Sequence, residues 1–568
     1  MLPDSPSWVY KGEWNGTIGQ NMFAELRAGQ FGYNFGLDSN TEATRYEDLA
    51  TNVITGGGRH WLNKRRRNQH TGALSFFKDN FAGGSHNFKV GGEYLGESGN
   101  IIWEQYYADS VVHYLTNGVP TAVRLANSGT SAQNGLATTS FFVTDTWTID
   151  RLTLNVGARF DRYRPYLPAQ TTPVSRFNPV ELTYAAIPEV IVFNHLVPRF
   201  GATYDLTGDG KTVLKGNWGR FYFNPGVNLA DAVNSNTSDQ YTDWNWNDRN
   251  GDRIYQEGEE TTFIQRVGAG AGSSLSSNLE NPHTDEASVF VERALMADLG
   301  VRVGYVWKHD SDGWQRDNAN RPLDAFNVPV TIRDPGPDGT LGNGDDGADI
   351  AGFNLNPANL ALASNNVVAT IPGYDGTYKT LELSANKRYS NRWSLNAAFS
   401  YTWSEEYGNL YFNQRTGTAV PGGSFSHFGS FPVNPNEPTF NEFTNWSAKF
   451  SGTADAGWGL GVTPVLKTQS GAPYGRTILG AFNYNASQIL LVEPIGTRRQ
   501  DTVTVLDFRV EKQLVFATKA RVGLFFDLFN VLNSNTAINI NWRAGSAFEK
   551  ATTVIPPRIA KFGVKFNW

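Results

Sequence analysis

Residues 248–259 have the composition and the spacing of a calcium-binding loop. The oxygen-bearing positions one, three, five, seven (a backbone carbonyl) and twelve of such a loop are Asp248, Asn250, Asp252, Ile254 and Glu259. Ca²⁺ takes roughly six to eight oxygen ligands, and the last position supplies a bidentate glutamate. Arg253 stands where the sharp turn of such a loop has glycine, although Gly251 is close by. The sequence therefore predicts a Ca²⁺ site, with a solvated acidic loop tip as the alternative.

A second acidic segment, residues 334–349, offers carboxylates separated by glycine and proline. Glycine lets backbone carbonyls turn inward, and hard cations such as Ca²⁺ prefer oxygen ligands. The candidate ligands of this second site are Asp334, Asp338, Asp345 and Asp346. A flexible acidic turn without a metal is the alternative interpretation. Apart from Ca²⁺ in these two loops, the sequence indicates no cofactor.

The sequence carries no pattern typical of an active site or of a nucleic-acid-binding surface. Residues 96–99 resemble the start of a nucleophile elbow, but Asn100 stands where the second glycine belongs. The eight histidines show no spacing typical of a metalloprotease. A net charge of −6 and an isoelectric point near 5.8 argue against nucleic acid as a partner. We therefore expect a protein that is not an enzyme.

Strands with one apolar face must position these loops. Successive side chains of a strand point to opposite faces, and the chain ends on a strand with four apolar residues on one face, namely Phe562, Val564, Phe566 and Trp568. Residues 152–160 and 393–403 alternate in the same way, at roughly ten residues per strand, which is the length that a tilted strand needs to cross a bilayer. The sequence therefore predicts an all-β fold, a large antiparallel transmembrane β-barrel. For any single strand, the core of a soluble sandwich is the alternative.

The connections between the predicted strands are of two kinds, which alternate. Short turns occur near 18–21, 81–86, 149–151, 206–211, 296–300, 388–392, 455–459 and 514–519. Long polar segments separate the resulting pairs near 37–69, 97–136, 164–195, 224–284, 311–375, 405–441, 478–501 and 530–557. Outer-membrane barrels have short periplasmic turns and long extracellular loops. The sequence thus predicts about seventeen strands of one barrel, integral to the outer membrane of a Gram-negative bacterium.

Three segments carry a resemblance to a known family. They are residues 526–533 (FDLFNVLN), 211–222 (KTVLKGNWGRFY) and 278–286 (NLENPHTDE). Together with the aromatic C-terminus, the first resembles TonB-dependent receptors, and the other two are similar to the Oar-like branch of that superfamily. The resemblance covers nearly the whole chain. It implies a barrel of about 22 strands plugged by an N-terminal globular domain, with residues 1–568 as the C-terminal part of the barrel.

The beginning of the chain agrees with that implication. About seventeen strands is an odd number, whereas single-chain bacterial barrels have an even number. Residues after Met1 form neither the charged nor the apolar region of a secretory signal. We therefore expect that the plug domain, about five strands and the segment that contacts TonB are missing from this sequence.

The resemblance also implies a function and a set of partners. The expected function is that of an outer-membrane receptor that binds an unknown extracellular ligand and takes part in its TonB-dependent transport. Outer-membrane lipid would surround the barrel, TonB would act through the missing N-terminal region, and the barrel assembly machinery would recognise the C-terminal signal Phe562, Val564, Phe566 and Trp568. The alternative is a non-transporting outer-membrane surface barrel, adhesin-like or passive porin-like.

Overall fold

The computed structural model describes residues 5–106, 110–175, 178–237, 240–268, 270, 272–363, 365–370, 375–407, 440–516 and 521–567. Its main element is a 17-stranded sheet. In chain order, the strands of this sheet are β1 Ser7–Ile18, β2 Met22–Leu37, β3 Arg59–Phe81, β4 Gly84–Tyr106, β5 Thr130–Ile149, β6 Leu152–Tyr166, β7 Phe193–Asp205, β8 Thr212–Tyr222, β9 His283–Met296, β10 Leu299–Ser311, β11 Asp375–Ser390, β12 Trp393–Tyr407, β13 Phe440–Asp455, β14 Leu460–Gln469, β15 Val503–Val515, β16 Arg521–Phe529 and β17 Ile559–Asn567.

Each strand of the sheet pairs antiparallel with the strand that follows it in the series. β1 and β17 are the two ends, and among the residues that the structure describes no pairing joins them. Pro464 lies inside β14, where the register with β13 skips from Val465 to Val462, so its missing N–H donor falls in a gap of the ladder. The predicted all-β fold and the number of strands are confirmed.

Short and long connections alternate along the sheet, as predicted. β3 and β4 differ from the expectation, because each has 23 residues. Residues 59–69 and 97–106, which were expected in loops, continue the ladder instead. Backbone hydrogen bonds between strands do not require an apolar face, so a polar segment without the membrane pattern extends a strand equally well.

The two faces of the sheet differ in chemistry, as the alternation predicts. On one face, which we call the apolar face, Leu74, Val90, Val143 and Ala158 lie opposite one another across β3 to β6. On the other, the polar face, one row across β1 to β6 consists of Glu13, Arg27, Thr71, Glu93, Ser140 and Asp161. Because large apolar side chains of the apolar face are exposed in the isolated chain, this face needs an apolar environment.

The long connections contain further strands and short helices. A six-stranded sheet has the order Glu260–Val267, Tyr241–Trp246, Val119–Ala126, Val111–Thr116, Arg45–Asp48, Val53–Thr55. A three-stranded sheet consists of Ser274–Leu275, Asn366–Thr370 and Trp314–Asn318. Two-stranded ladders pair Gln170–Thr172 with Leu182–Tyr184, Val328–Ile332 with Ile350–Asn354, Pro473–Tyr474 with Arg498–Arg499, Thr477–Phe482 with Asn485–Leu491, and Ala537–Ile540 with Ala551–Val554.

The helices are short: α1 is Asn228–Ala232, α2 is Pro357–Leu360, and a 3₁₀ turn is formed by Leu323–Ala325. In the ranges that the structure covers, no helix combines the length and the apolar character of a membrane span. The buried apolar clusters are concentrated in the long connections rather than between the strands of the main sheet.

Candidate functional site

The long connections form a folded region at one end of the main sheet, which we call the loop cap. It consists of the described residues of 38–58, 110–129, 167–192, 223–282, 312–374, 470–502 and 530–558. One apolar cluster of the cap packs on its six-stranded sheet, with Tyr255 contributed by the loop before the last strand, and contains Val111, Leu115, Val123, Leu125, Trp246 and Tyr255. A second contains Ile332, Ile350, Ile478, Phe482 and Leu490. The connections therefore pack against one another and do not act as separate loops.

An ion pair ties two neighbouring strands of the six-stranded sheet together. Arg124 donates two hydrogen bonds to Asp243, at 2.8 and 3.0 Å, and Gln265 donates a third to the same carboxylate at 2.7 Å. The Arg124 guanidinium lies 3.6 Å from the centre of the Tyr241 ring. Burial alone would lower the pKa of Arg124, but the contact with Asp243 raises it above its ordinary value. The cation is therefore paired with a carboxylate and stacked on an aromatic ring inside the cap.

Buried amides join three of the connections. Asn127 and Asn178 both donate to the side-chain oxygen of Gln240, at 2.9 and 3.3 Å. Asn236 donates to the side-chain oxygen of Gln170 at 3.0 Å. All five side chains are buried. Since amides carry donors and acceptors but no charge, they can align three loops without the desolvation cost of buried ions.

A larger charged cluster joins the connections 312–374, 470–502 and 530–558. Arg476 and Asp334 are both buried, and Arg476 donates to both oxygens of Asp334 at 2.5 and 2.6 Å. Glu493 bridges Arg476 at 3.4 Å and Arg498 at 2.6 Å, and Arg498 also reaches Glu549 at 2.9 Å. The hydrogen bonds that Arg476 donates to Asp334 raise the pKa of Arg476 above its ordinary value. The cluster holds three loops that are far apart in the sequence.

The structure places the predicted ligands of the first acidic loop in a network of N–H donors. Asp248 accepts hydrogen bonds from the backbone N–H groups of Gly251 and Arg253, at 2.8 and 2.9 Å. Glu259 accepts from the Trp246 indole at 3.0 Å and from two backbone N–H groups of its own loop. Arg253 adopts a φ of 62°, a backbone conformation that favours glycine. The sharp turn of the loop therefore forms although arginine stands at the glycine position. These donors occupy the oxygens that a cation would need.

The remaining predicted ligands of that loop are bonded in the same manner. Asp252 accepts from the Ile254 N–H at 2.7 Å and from the Asn250 amide at 2.9 Å, and the Ile254 carbonyl accepts from Gln256 at 2.7 Å. Burial alone would raise the pKa of Glu259, but hydrogen bonds led by that of Trp246 lower it. The carboxylates of Asp252 and Glu259 are therefore stabilised as anions by the loop itself, which supports the alternative of an acidic loop tip.

The second acidic loop is also hydrogen-bonded within the chain. Asp334 is the partner of Arg476, as described above. Asp338 accepts from the Thr340 N–H at 2.7 Å, and Asp346 accepts from the Gly342 N–H at 2.7 Å. Asp345 accepts from the Asp338 N–H at 3.3 Å. Across the part of the chain that the structure describes, no group of three or more His, Asp or Glu side chains converges on a metal position. Both Ca²⁺ sites stay predictions.

The C-terminal strand has the predicted arrangement over the residues that the structure describes. Phe562, Val564 and Phe566 are 78, 55 and 62% exposed and share the apolar face of β17. Trp568, the fourth residue of the predicted assembly signal, lies outside the described residues. An apolar edge of this kind agrees with a lipid-facing strand, whereas recognition by the assembly machinery stays a prediction.

The segment 526–533 anchors the last long connection. Asn530 and Asn533 both adopt positive φ angles, of 48 and 49°. The backbone N–H of Asn530 donates to Asp507 at 2.8 Å, and its side chain donates to the carbonyls of Ser534 and Pro556, both at 2.9 Å. Asparagine tolerates this backbone conformation better than most residues, so the pattern that carries the resemblance has a structural role at the end of β16.

Charged pairs cover the polar face of the sheet. Lys89 lies within 2.5 Å of Glu25, and Arg159 donates to Glu93 at 3.1 Å. At the far end of the sheet, Arg509 makes two hydrogen bonds to Asp527, at 2.5 and 2.9 Å. Paired charges satisfy one another without being removed from water. The polar face therefore suits a wall that borders an aqueous space.

Sequence patterns alone do not identify the contacts that hold the cap. Arg124 and Asp243 are separated by 119 positions, and Arg476 and Asp334 by 142. No local spacing connects such partners, since only the fold brings the loops together.

Comparisons with known proteins agree with this architecture. A family model described as outer membrane beta barrel domain matches residues 5–442. Three solved structures are the outer membrane transporter YddB from Escherichia coli, the siderophore receptor PiuA from Acinetobacter baumannii and the ferric-catecholate import receptor Fiu from Escherichia coli. They are 12, 11 and 12% identical to the chain and superpose with TM-scores of 0.60, 0.51 and 0.50. Each match covers 99% of the chain. No protein of curated function matches.

The chain spans 63 to 64% of the length of these three structures. At this identity the likeness establishes the fold alone, and it confirms the expected large antiparallel outer-membrane barrel. The apolar face of the sheet is therefore the lipid-facing side. The match over residues 5–442 shows that the chain belongs to the outer membrane beta barrel family and is an integral protein of the outer membrane.

Proposed function

We propose that the chain is the barrel part of a TonB-dependent receptor of the Oar-like branch, which binds an extracellular ligand and takes part in its transport across the outer membrane. In this proposal residues 1–568 are the C-terminal part of the barrel. The plug domain, about five further strands and the TonB-contacting segment belong to a preceding part of the gene product. The loop cap binds the ligand, and the polar face borders its path.

The antiparallel series of strands is the observation that supports this proposal most. It superposes over 99% of the chain on an outer membrane transporter, on a siderophore receptor and on a ferric-catecholate import receptor. The charged pairs of the polar face provide the wet wall that a transport path needs. The packed cap offers a preformed surface above that path, which lowers the entropy lost when a ligand binds.

The dependence on TonB can be tested on outer membranes. We expect purified periplasmic TonB domain to bind membranes that contain the complete gene product and not membranes that contain residues 1–568 alone. The DNA upstream of the Met1 codon supplies an independent check, since it should encode a plug domain in frame. A signal peptide directly upstream, combined with no TonB binding, would exclude the transport proposal.

One observation favours a surface protein that does not transport. Leu49, Val53, Ile54 and Val119 are each more than half exposed in the cap, and exposed apolar residues at a loop end suit contacts with another surface. Under this alternative, adherence of cells would depend on the cap and would be the same with and without TonB. Loss of adherence in a TonB deletion strain would contradict this alternative and would support a role of the cap in TonB-dependent transport.

The assembly signal is part of the proposal. We expect that deleting Trp568 from the complete gene product lowers the amount of protein inserted into the outer membrane. A Lys565→Ala variant is the matched control, because Lys565 lies on the opposite face of the same strand. Surface labelling of whole cells measures insertion. Equal labelling of the deletion variant and the parent would limit the role of Trp568 to contact with lipid.

Ca²⁺ binding by the loop at residues 248–259 is also kept as a proposal, because its five ligands have the required spacing. A cation would have to replace the N–H donors that occupy Asp248 and Glu259. Limited proteolysis at millimolar Ca²⁺ tests this, with Asp252→Ala and Glu259→Ala as controls. Protection that requires both carboxylates supports a site, and cleavage that is independent of Ca²⁺ supports a hydrogen-bonded loop.

A further inference from the structure

Five asparagines of the chain directly precede a glycine, namely Asn15, Asn117, Asn134, Asn250 and Asn343. In such a pair the backbone nitrogen of the glycine can attack the side-chain Cγ of the asparagine, because glycine has no Cβ that hinders the approach. The attack requires a glycine nitrogen that is not held by another group and a backbone with room to bend. The surroundings of each pair in the fold therefore determine its reactivity.

Two of the five pairs lie in the ladder of the main sheet. Asn15 and Gly16 belong to β1 and pair with β2. Asn134 and Gly135 belong to β5, which has a partner strand on each side, and Asn134 is buried. A strand that is held extended by its neighbours does not bend into the ring that joins the side chain to the backbone. The sheet therefore protects both asparagines.

In two further pairs a carboxylate holds the N–H group of the glycine. Gly118 donates to Oδ2 of Asp48 at 2.6 Å, and Gly251 donates to Oδ1 of Asp248 at 2.8 Å. The attacking nitrogen has to lose its proton, and a neighbouring negative charge disfavours the anion that results. The hydrogen bond also directs the nitrogen away from the asparagine side chain. The asparagines that precede these two glycines are therefore protected although they lie in turns of the cap.

The fifth pair, Asn343 and Gly344, has neither form of protection. It lies in the connection between the ladder strands Val328–Ile332 and Ile350–Asn354, and both residues are exposed. Among the residues that the structure describes, no group accepts a hydrogen bond from the Gly344 N–H. A Cβ at Gly344 would meet nothing within 4 Å. The nitrogen is therefore available, and the backbone has room to bend.

The neighbours of the Asn343 amide stabilise the atoms that change during the attack. The backbone N–H of Asp345 donates to Oδ1 of Asn343 at 3.2 Å, and Nδ2 of Asn343 donates to Oδ2 of Asp338 at 2.9 Å. Oδ1 gains negative charge when the glycine nitrogen attacks, and Nδ2 gains positive charge as it departs. A donor faces the first atom and a carboxylate faces the second, so each developing charge meets a group of opposite sign.

We propose that Asn343 is a site of spontaneous deamidation in the loop cap. The Gly344 nitrogen loses its proton to water and forms a bond to Cγ of Asn343. The Cγ–Nδ2 bond breaks, and Nδ2 takes up a proton from water and leaves as ammonia. A second water molecule opens the resulting succinimide at either carbonyl, which leaves an aspartyl or an isoaspartyl residue at position 343. The reaction involves no oxidation and needs no reagent other than water.

The segment that contains Asn343 is fixed on both sides. Before it, Asp334 accepts from Arg476, and the Pro337 carbonyl accepts from the Gly545 N–H at 3.0 Å. After it, the ladder strand Ile350–Asn354 begins. An isoaspartyl residue adds one carbon to the backbone between these fixed points, and either product adds a negative charge. We therefore expect this part of the cap surface to change with the age of the protein.

Mass spectrometry of the folded protein tests the proposal. Outer membranes that contain the complete gene product are incubated at mildly alkaline pH in heavy-oxygen water and digested in ordinary water, so that the label marks deamidation during the incubation. We expect Asn343 to deamidate on the order of tenfold faster than Asn117 and Asn250, whose glycine N–H must first be released from a carboxylate. After denaturation in urea, all five pairs should react at similar rates.

Two variants separate the effect of the fold from that of the sequence. Gly344→Val should slow deamidation of Asn343, because a β-branched side chain hinders the attack and stiffens the backbone. Asp248→Ala releases the Gly251 N–H and should accelerate deamidation of Asn250, with Asn343 unchanged. Heat-modifiable migration verifies that each variant is folded. Equal rates at Asn343 and Asn250 in the folded parent, or an Asn343 that reacts only after denaturation, would overturn the proposal.

Discussion

The apolar face of the sheet and the loop cap contain similar side chains in opposite surroundings. Val143 on the apolar face is 53% exposed, whereas Val111 in the cap is fully buried. In the described residues the barrel wall therefore buries few apolar side chains of its own and takes most of its apolar contacts from lipid, while backbone ladders hold it together. The cap has small apolar cores and side-chain hydrogen bonds, as water-soluble domains have. The wall is thus stabilised in lipid and the cap in water. We expect different substitutions to unfold each region.

The largest effect is expected from a substitution that unfolds the cap and leaves the wall folded. Arg476→Met leaves the buried carboxylate of Asp334 without its partner, which typically costs about 3–5 kcal/mol. We expect rapid proteolysis within residues 470–502, while heat-modifiable migration still reports a folded barrel. The double variant Arg476→Met/Asp334→Leu should regain most of the protection, since it removes both charges. Loss of the folded barrel in the single variant would show that the two regions unfold together.

The second prediction concerns a substitution that destabilises the wall and leaves the cap unchanged. Phe399→Arg places a charge on the apolar face and should cost about 2–4 kcal/mol if it lies near the bilayer midplane. Asn396→Arg is the control, because Asn396 lies on the polar face of the same strand. Urea titration of the barrel in lipid vesicles measures both. Equal midpoints for the two variants would contradict the assignment of lipid to the apolar face.

The smallest effect is a dependence on pH that should be confined to the cap. Burial alone would raise the pKa of Glu493, but the hydrogen bonds from Arg498 and the Arg476 N–H lower it below the ordinary value of 4.5. Because the folded pKa is lowered, the unfolded cap binds more protons in acid. The stabilisation by Glu493 is present above about pH 4.5 and is lost as the pH falls through the folded pKa.

Proteolysis of residues 470–502 between pH 7 and pH 3, with an acid-stable protease, measures this dependence. The parent should lose protection as the pH falls below 4.5, and Glu493→Gln should be less protected at pH 7 and respond less to acid. The folded fraction of the barrel should not follow the same curve. If Glu493→Gln loses protection in acid to the same extent as the parent, other carboxylates cause the pH dependence.

The wall was predictable from the sequence, and the cap was not. A period of two is a local property, so Leu395 and Phe399 indicate a strand and its lipid side without any knowledge of the partners. The upper parts of β3 and β4 lack an apolar face, and their extension therefore escaped prediction. In the cap, Asn127 and Gln240 are 113 positions apart. Their contact depends on how three loops pack, which no periodicity encodes.

The acidic loops show a different limit of prediction. Their spacing is correct for Ca²⁺, but spacing does not reveal competing donors. Backbone N–H groups reach Asp248, and Arg476 reaches Asp334 from a distant loop. Carboxylates that stabilise a turn and carboxylates that bind a cation therefore look the same in a sequence.

The length of β3 and β4 determines how far the cap stands from the cell. At 23 residues each, these strands are about 75 Å long, and only ~10 tilted residues are needed to cross the lipid. With a tilt of about 40°, their tips rise roughly 30 Å above the bilayer. Large bodies such as antibodies or phage tail fibres can reach this height without touching lipid. The cap is therefore the region where immune recognition and phage adsorption would select for sequence change, while the wall below is screened from both.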